Sequence, residues 1–415
     1  MISSNYLPRL VDPLLSKYFS VFPALLLTGP RAAGKTTTAR RHAQTVIRLD
    51  SEAEAEAFRA DPDAALRSFP EPILLDEWQA TPGILGAVKR AVDDDPRPGR
   101  FILTGSVRAD LTQATWPGTG RLVRIPMFGL SVREVRVAGG GSTFLEKLSL
   151  AKLDGFTLPI DPPDLYGYVS LALQGGFPDT VLRLPANFRQ PWVDSYLEQL
   201  LTRDVEMLEH LRDPARLRRY FEVLALNTAG LSEAKTLYDS ALIDRKTALA
   251  YDQLLINLQV LELMPAWTKN RLLRLVRTAK RYLLEPSLIA SALQLDERAV
   301  LRDGELLGRL IDTFVAAQIR PELILSHPQP RLYHLRDKDG RHEVDLVAEL
   351  AANQLVGVEI KATASPNPSD ARHLAWLRDS LGERFLGGAV LHTGPRKYVL
   401  GDRIFALPIC TLWGG

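Results

Sequence analysis

A glycine-rich loop between a short apolar run and a helix-like segment constrains this chain more than any other feature. The apolar residues ALLLT at positions 24–28 lead directly into GPRAAGKT at positions 29–36. A short apolar run of this kind is typical of a buried parallel strand. Glycines allow successive backbone N–H groups to turn inward around an anion, and a helix N-terminus adds a partial positive charge. The sequence therefore predicts a phosphate-binding loop in a parallel α/β fold.

The pattern G-x-x-x-x-G-K-T assigns a task to the residues of this loop. Lys35 is expected to reach the β- and γ-phosphates of a nucleotide, and the Thr36 hydroxyl is expected to ligate Mg²⁺. The alternative is a glycine turn followed by a solvated lysine, but the strand before the loop and the helix after it favour nucleotide binding. The residues expected to contact the nucleotide are Gly29, Pro30, Arg31, Ala32, Ala33, Gly34, Lys35, Thr36 and Thr37.

A second apolar run, at positions 73–75, ends in two acidic residues, Asp76 and Glu77. Asp76 is predicted to hold the Mg²⁺ ion, and Glu77 is predicted to orient and deprotonate the attacking water. The alternative is that the acidic pair caps the next helix. A second acid next to the metal ligand favours hydrolysis of the nucleotide over binding alone.

Three more polar residues are candidates for the same site. Thr104 and Ser106 follow a third apolar run and are candidates for a hydroxyl near the γ-phosphate, although a turn explains them equally well. Arg121 is predicted to be an arginine finger that neutralises charge in the transition state, with an ordinary surface arginine as the alternative.

The pattern of the chain changes twice along its 415 residues. Strand-like and helix-like segments alternate first, and turn-rich segments at 138–142 and 161–164 then precede a mainly helical stretch. Alternation resumes after Pro286. We therefore predict three domains, at 1–160, 161–284 and 285–415, of which the first is a parallel α/β domain, the second is helical and the third is again α/β.

Composition excludes several classes of protein. Cys410 is the only cysteine, so an intrachain disulfide and multi-cysteine metal sites are excluded. The apolar runs are far shorter than the roughly 18 residues that a membrane helix needs, and no leader pattern follows Met1. We therefore expect a cytoplasmic protein without a membrane partner. The 51 basic and 49 acidic residues nearly balance, so net charge does not indicate a partner.

The order of the motifs resembles that of the prokaryotic AAA-type ATPases that carry a C-terminal DUF4143 domain. The resemblance implies ATP as the nucleotide, an AAA-like P-loop ATPase core, a middle winged-helix domain and a C-terminal fold similar to PD-(D/E)xK, restriction-endonuclease-like nucleases. The segments that carry it are residues 29–37, 74–77, 103–106, 175–178 (GGFP), 201–205, 343–345 and 359–361.

The middle domain can be compared with the winged-helix expectation. Residues 231–241 and 244–259 have the pattern of two helices, with Asp244 as the N-cap of the second. A basic stretch follows, with no acid between Glu262 and Glu285, and a hairpin carrying it is predicted to lie along a DNA or RNA backbone. The alternatives are a solvated face or a protein-binding surface. The basic residues are Lys269, Arg271, Arg274, Arg277, Lys280 and Arg281.

A predicted hairpin near the C-terminus brings charged residues together. With the turn centred on Ala352, Asp345 lies opposite Glu359, and Lys361 projects from the same face. Two carboxylates and a lysine can hold a divalent metal and activate water for phosphodiester hydrolysis. The resemblance adds Asp312, from the preceding helix, as a further metal ligand. The alternative is a lattice of cross-strand ion pairs, with Glu343 opposite Lys361.

Two functional hypotheses remain open from the sequence. The first is a Mg²⁺-dependent ATPase that couples its nucleotide state to a C-terminal half that binds DNA or RNA, with or without cleaving it. The second is a nucleotide-operated switch that binds a protein partner, as in a signalling or toxin–antitoxin module, without nuclease activity. Self-association into a homo-oligomer is compatible with both. A small-molecule kinase is disfavoured, because Glu77 and the long accessory domains suit hydrolysis coupled to a second event.

Overall fold

A computed structural model describes residues 6–81, 83–105, 120–136, 141–202, 213–275, 277–337 and 340–414. The chain divides into two compact units. The first comprises Met1–Leu130 and Leu255–Val260, and the second comprises Ser131–Leu254 and Leu261–Gly415. The three domains drawn from the sequence remain a prediction. Ser106 and most of the 201–205 segment lie outside the described residues.

Within the described part of the first unit, five parallel strands form one sheet in the order β2-β3-β4-β1-β5. This arrangement confirms the predicted P-loop NTPase type of fold. Because the strands are parallel, the C-terminal ends of β1, β3 and β4 lie at the same edge of the sheet. The strands are β1 (Ala24–Thr28), β2 (Thr45–Arg48), β3 (Ile73–Asp76), β4 (Phe101–Gly105) and β5 (Leu122–Pro126).

Helices connect these strands and complete the core of the first unit. The apolar runs predicted as buried strands are almost wholly inaccessible to solvent, with Leu26, Leu75 and Leu103 packed beside Val88 of the last helix. The loop after β1 leads into a helix of only five residues, because a 3-10 turn replaces it from Arg40. The helices are α1 (Asp12–Phe19), α2 (Lys35–Ala39), α3 (Glu52–Ala60), α4 (Pro62–Arg67) and α5 (Ile84–Asp94).

The second unit begins with helices, as the sequence predicts for its middle part. Asp244 caps the last of them: its carboxylate accepts from the Thr247 backbone N–H at 2.9 Å. The helices are α6 (Val132–Arg136), α7 (Phe144–Ser149), α8 (Leu165–Gln174), α9 (Pro178–Leu182), α10 (Ala186–Thr202), α11 (Pro214–Leu226), α12 (Ala234–Ser240) and α13 (Arg245–Asn257), the last running into the Leu255–Val260 segment.

A small antiparallel pair of strands follows these helices. Strand β6 (Leu261–Met264) pairs with β7 (Lys280–Leu283), and the short helix α14 (Arg271–Arg274) lies between them in sequence. Two helices followed by a hairpin is the order expected of a winged helix, and that assignment stays a prediction.

Within the described residues, a six-stranded mixed sheet forms the C-terminal part in the order β12-β13-β11-β10-β9-β8. Its core includes Val344, Val347, Leu374 and Phe385. The elements are α15 (Ser287–Leu293), α16 (Glu297–Arg302), α17 (Gly304–Ile319), β8 (Arg331–Arg336), β9 (Glu343–Glu349), β10 (Leu355–Lys361), α18 (Arg372–Leu381), β11 (Phe385–His392), β12 (Tyr398–Gly401) and β13 (Ile404–Pro408).

The predicted register of the β9–β10 hairpin is confirmed. The pairs run from Leu355 opposite Glu349 to Val358 opposite Leu346, which centres the turn on Ala352. The next position along the two strands brings Asp345 beside Glu359. None of the described helices has the length and apolar character needed to cross a membrane.

Candidate functional site

The phosphate-binding loop has the backbone that the sequence predicts. It leaves β1 at Thr28 and enters α2 at Lys35. Gly34 lies between them with φ of 91°, in the left-handed region that favours glycine. A side chain at this position would strain the turn that starts the helix, so the second glycine of the motif is required by the backbone.

Lys35 lies inside the loop. Its side chain is buried, and its Nζ donates hydrogen bonds to the carbonyl oxygens of Gly29 at 2.9 Å and Pro30 at 2.7 Å. Burial lowers the pKa of Lys35 to about 8, although the charges of Glu77 and Asp76 act in the opposite direction. The ammonium group is thus held by backbone oxygens at the loop that is expected to surround a phosphate.

Asp76 brings together the predicted residues from different elements. Its Oδ1 accepts a hydrogen bond from the Thr36 hydroxyl at 2.8 Å and another from the Thr104 hydroxyl. The contact with Thr104 follows from the sheet, because Asp76 and Thr104 are register partners on parallel strands β3 and β4. Carboxylate and hydroxyl oxygens are hard ligands of the kind that Mg²⁺ prefers. The donor set at Thr36 and Asp76 therefore fits the metal that the motif implies.

Glu77 is held in place by a residue that the sequence motifs did not single out. Its backbone is left-handed, with φ of 51°, and its Oε2 accepts a hydrogen bond from Gln79 Nε2. The Gln79 Oε1 atom is buried and has no hydrogen-bond partner among the described residues. Gln79 lies in the 3-10 turn that follows the acidic pair. In the sequence, only its proximity to Glu77 pointed to this role.

Arg9 is a second residue that the motifs missed. It is buried, its Nη1 donates to the Ala33 carbonyl at 2.9 Å, and its Nη2 donates to the Phe128 carbonyl at 2.8 Å. The guanidinium group therefore ties the phosphate-binding loop to the segment after β5. No local pattern marks Arg9 for this role, because the Ala33 and Phe128 carbonyls are distant from it in sequence.

The structure places Arg121 in an ion pair with Asp93, at the C-terminal end of α5. Both side chains are partly exposed, and the hydrogen bond from Arg121 lowers the pKa of Asp93. The role of Arg121 as an arginine finger stays a prediction. The predicted role of the Ser106 hydroxyl near the γ-phosphate also stays a prediction, because Ser106 lies outside the described residues.

In the second unit, the predicted carboxylates meet around a lysine. Nζ of Lys280 lies 2.6 Å from Asp312 Oδ2 and 3.2 Å from Asp345 Oδ1. The Tyr282 hydroxyl donates to the other oxygen of Asp312 at 2.9 Å, and the Ile360 backbone N–H donates to the other oxygen of Asp345 at 2.9 Å. Lys280 was predicted to lie on a nucleic-acid-binding wing, and instead its ammonium group is buried between two aspartates.

Glu359 and Lys361 lie beside this pair of aspartates. Lys361 Nζ is 3.3 Å from Glu359 Oε2, whereas Glu359 Oε1 is buried and has no hydrogen-bond partner among the described residues. Burial, and next the charge of Asp345, raise the pKa of Glu359 well above its ordinary value. Across the described residues, no three His, Cys, Asp or Glu side chains are placed to hold a metal ion. The metal role of Asp312, Asp345 and Glu359 therefore stays a prediction.

The other basic residues of the 269–281 stretch also contact the chain itself. Arg274 forms an ion pair with Glu349 at 2.8 Å, with both side chains largely buried. Arg281 lies 3.6 Å from Asp252. The rest donate to polar atoms of the C-terminal part: Lys269 to the Ser380 carbonyl, Arg271 to the Asn353 side chain and Arg277 to the Arg336 carbonyl.

The GGFP segment has a structural role in the second unit. The Gly176 N–H donates to the Glu285 carboxylate at 3.0 and 3.1 Å, and Phe177 packs against Trp192 and Tyr196. Burial raises the pKa of Glu285 to about 7, although the N–H of Gly176 acts to lower it. The segment therefore joins the end of α8 to the chain that follows β7.

Comparisons with known proteins divide the chain into three matched segments. The model of an AAA domain matches residues 21–136, a domain of unknown function, DUF8612, matches 166–299, and a domain of unknown function, DUF4143, matches 307–412. The AAA match includes the phosphate-binding loop and the Asp76–Glu77 pair. The DUF4143 match includes Asp312, Asp345, Glu359 and Lys361.

Similar whole proteins come from mycobacteria. Uncharacterized proteins of Mycobacterium tuberculosis and Mycobacterium bovis are each 29% identical over 390 residues, which covers 93% of this chain and 80% of theirs. A solved structure, the Walker-type ATPase of Pyrococcus abyssi, is 14% identical with a TM-score of 0.41, over 70% of this chain and 99% of that one. The chain thus combines an N-terminal segment that matches an AAA domain with a C-terminal segment that matches DUF4143.

Proposed function

We propose that the first unit binds ATP with Mg²⁺ and hydrolyses it. The observation that carries the proposal is the meeting of Thr36, Asp76 and Thr104 at the C-terminal edge of a parallel sheet, next to a loop that buries a lysine. A nucleotide site of this type needs a phosphate cradle, hard oxygen ligands and an acid next to them.

Each residue has a separate task in this proposal. Lys35 leaves the loop carbonyls and pairs with the phosphates, and Thr36 and Asp76 hold Mg²⁺, which neutralises phosphate charge when it is bound. Thr104 orients the Asp76 carboxylate through its hydrogen bond. Glu77, positioned by Gln79, orients the attacking water and accepts its proton.

Phosphate release from Mg–ATP tests the proposal. Lys35→Ala should abolish turnover, and Glu77→Gln should lower it by about 10²–10⁴-fold while nucleotide binding persists. Lys89→Ala is a matched control, because Lys89 is a partly exposed lysine of α5 whose only described ion pair is with Asp93. It should leave turnover unchanged. If Lys35→Ala, folded by circular dichroism, turned over ATP at the wild-type rate, the assignment of the loop would be wrong.

For the C-terminal half, the contacts favour the second of the two hypotheses from the sequence. The basic residues that were predicted to contact a DNA or RNA backbone instead contact groups of the chain itself, and Lys280 is buried. A nucleotide-operated switch that binds a protein partner needs no exposed basic surface. Binding and cleavage of DNA or RNA remain the competing proposal.

One assay separates the two hypotheses. ATP turnover is measured with and without single-stranded DNA, double-stranded DNA and RNA, at 50 and 200 mM salt. Stimulation by a nucleic acid that falls steeply with salt would support nucleic-acid binding, because each phosphate contact releases counterions. The switch would be supported if none of the three nucleic acids changed ATP turnover and a protein partner co-purified in a nucleotide-dependent way.

A further inference from the structure

Lys280 lies in an environment that ordinarily excludes a lysine. Its side chain is only 2% exposed, it belongs to β7, and its ammonium group lies between carboxylates from α17 and β9. A buried ammonium group without partners carries a large desolvation penalty. The position is therefore maintained by Asp312 and Asp345, which approach it to 2.6 and 3.2 Å.

The charge of Lys280 is fixed by this environment. Asp312 Oδ2 and Asp345 Oδ1 lie 2.6 and 3.2 Å from its Nζ, and opposite charges at these distances favour the ammonium form. Lys280 is therefore held as an ammonium ion between the two carboxylates. It supplies the positive charge that two aspartates placed this close together require.

Glu359 gives a second and independent observation. Its side chain is 3% exposed, yet Oε1 has no hydrogen-bond partner among the described residues. The next residue of β10, Ile360, donates its backbone N–H to Asp345 at 2.9 Å, so Glu359 lies beside the part of β9 that carries Asp345. Among the described residues, three carboxyl groups here face two ammonium groups, those of Lys280 and Lys361. The Oε1 oxygen of Glu359 thus remains without a hydrogen-bond partner among the described residues.

We infer that Lys280 is the built-in cation of a latent divalent-cation site formed by Asp312, Asp345 and Glu359, and that its ammonium group keeps Mg²⁺ and Mn²⁺ out of the native protein. The buried ammonium satisfies the two aspartates, and this explains why the carboxylates do not gather into a metal-ligand set. Removal of the ammonium charge leaves the carboxylates of Asp312 and Asp345 without their cation, and carboxylate oxygens are hard ligands for a divalent metal. The inference is independent of ATP hydrolysis in the first unit.

Binding of Mn²⁺ to the full chain without nucleotide tests the inference. Lys280→Met keeps an apolar stem of similar length and removes the charge. It should bind one more Mn²⁺ per chain than the wild type, at least about tenfold more tightly than any site of the wild type, by isothermal titration calorimetry and electron paramagnetic resonance. Adding Asp345→Asn to Lys280→Met should remove the extra site. Lys269→Met is the matched control, because Lys269 is an exposed lysine of the same stretch.

Two results would overturn the inference. One is a Lys280→Met protein that binds no more Mn²⁺ than the wild type, and the other is a wild-type Mn²⁺ site that Asp345→Asn removes. If Lys280→Met folds poorly, Lys280→Gln retains an N–H donor for Asp312, and Mn²⁺ should raise its unfolding temperature but not that of the wild type. If Mn²⁺ stabilised neither Lys280→Met nor Lys280→Gln, the inference would also be rejected.

Discussion

The buried position of Lys35 has a consequence for the pH dependence of nucleotide binding. Burial lowers the pKa of its ammonium group to about 8 while the loop carbonyls hold Nζ. Phosphates next to the same group favour its charged form and raise its pKa again. Above pH 8 the free protein has largely lost this proton, so nucleotide binding must take one up.

We therefore expect binding of ADP to be coupled to protonation of Lys35. At pH 8.5 about three quarters of a proton should be taken up per nucleotide, and about a tenth at pH 7. Affinity should fall by up to about tenfold per pH unit above 8. Calorimetric titration in two buffers of different ionisation enthalpy measures the uptake. Equal uptake at both pH values would contradict the prediction, and a Lys35→Arg variant that still binds should show none.

Gly175 provides a second prediction at the scale of one residue. Its φ is 69°, and a Cβ there would lie 2.2 Å from Glu285 Oε1 and 2.5 Å from Ser287 Oγ. Gly175→Ala therefore combines backbone strain with a steric clash at the buried carboxylate. We expect it to reduce the free energy of unfolding by more than about 1 kcal/mol.

Gly382 is the matched control for this substitution. Its φ is 60°, but a Cβ there would meet nothing within 4 Å, so Gly382→Ala carries the backbone strain without the clash. Thermal unfolding followed by circular dichroism should show a larger decrease for Gly175→Ala. Equal decreases would mean that the clash with Glu285 adds no destabilisation to the backbone strain that both substitutions cause.

At the scale of elements, sequence patterns predicted the structural features that are determined by residues close together in the chain. The loop after β1, the acids at the end of β3 and the turn at Ala352 each follow from short motifs or from pairing within one hairpin. The position of the Lys280 side chain depends instead on the packing of β7 against α17 and β9. Spacing in the sequence does not encode that packing, so the lysine was assigned to an exposed wing.

The pairing of helix α14 with strand β9 gives a prediction for an element. Arg274 binds both oxygens of Glu349, at 2.8 and 3.3 Å, and its guanidinium group also lies over the rings of Trp267 and Tyr333. Glu349→Gln would leave a largely buried guanidinium without its counter-charge. We expect the free energy of unfolding to decrease by about 3 kcal/mol.

An exposed ion pair in the same unit is the control for this substitution. Lys235 and Asp239 lie one helical turn apart on α12, and both side chains are exposed. Asp239→Asn should change stability by less than about 1 kcal/mol, because solvent screens the pair. Urea-induced unfolding compares the two variants. If Glu349→Gln were as mild as Asp239→Asn, α14 would not be anchored by this pair.

At the scale of the whole molecule, a nearly neutral total charge conceals how the charges are used. The chain has 51 basic and 49 acidic residues, and in the basic 269–281 stretch Arg274, Lys280 and Arg281 pair with acids of the second unit. The first unit has its own apolar core, and it contains the nucleotide site. The second unit has a separate core around its mixed sheet. A ligand of the first unit should therefore stabilise that unit directly.

Calorimetric unfolding tests this division. We expect two transitions, of which Mg–ADP raises only one, since a ligand at 100 times its Kd adds about 2.7 kcal/mol to the stability of the unit that binds it. Lys35→Ala should abolish the shift and leave both transitions in place. Because chains of several compact units commonly unfold in steps, the second transition serves as an internal reference. A single transition that moves as a whole with Mg–ADP would show that the chain unfolds as one cooperative body.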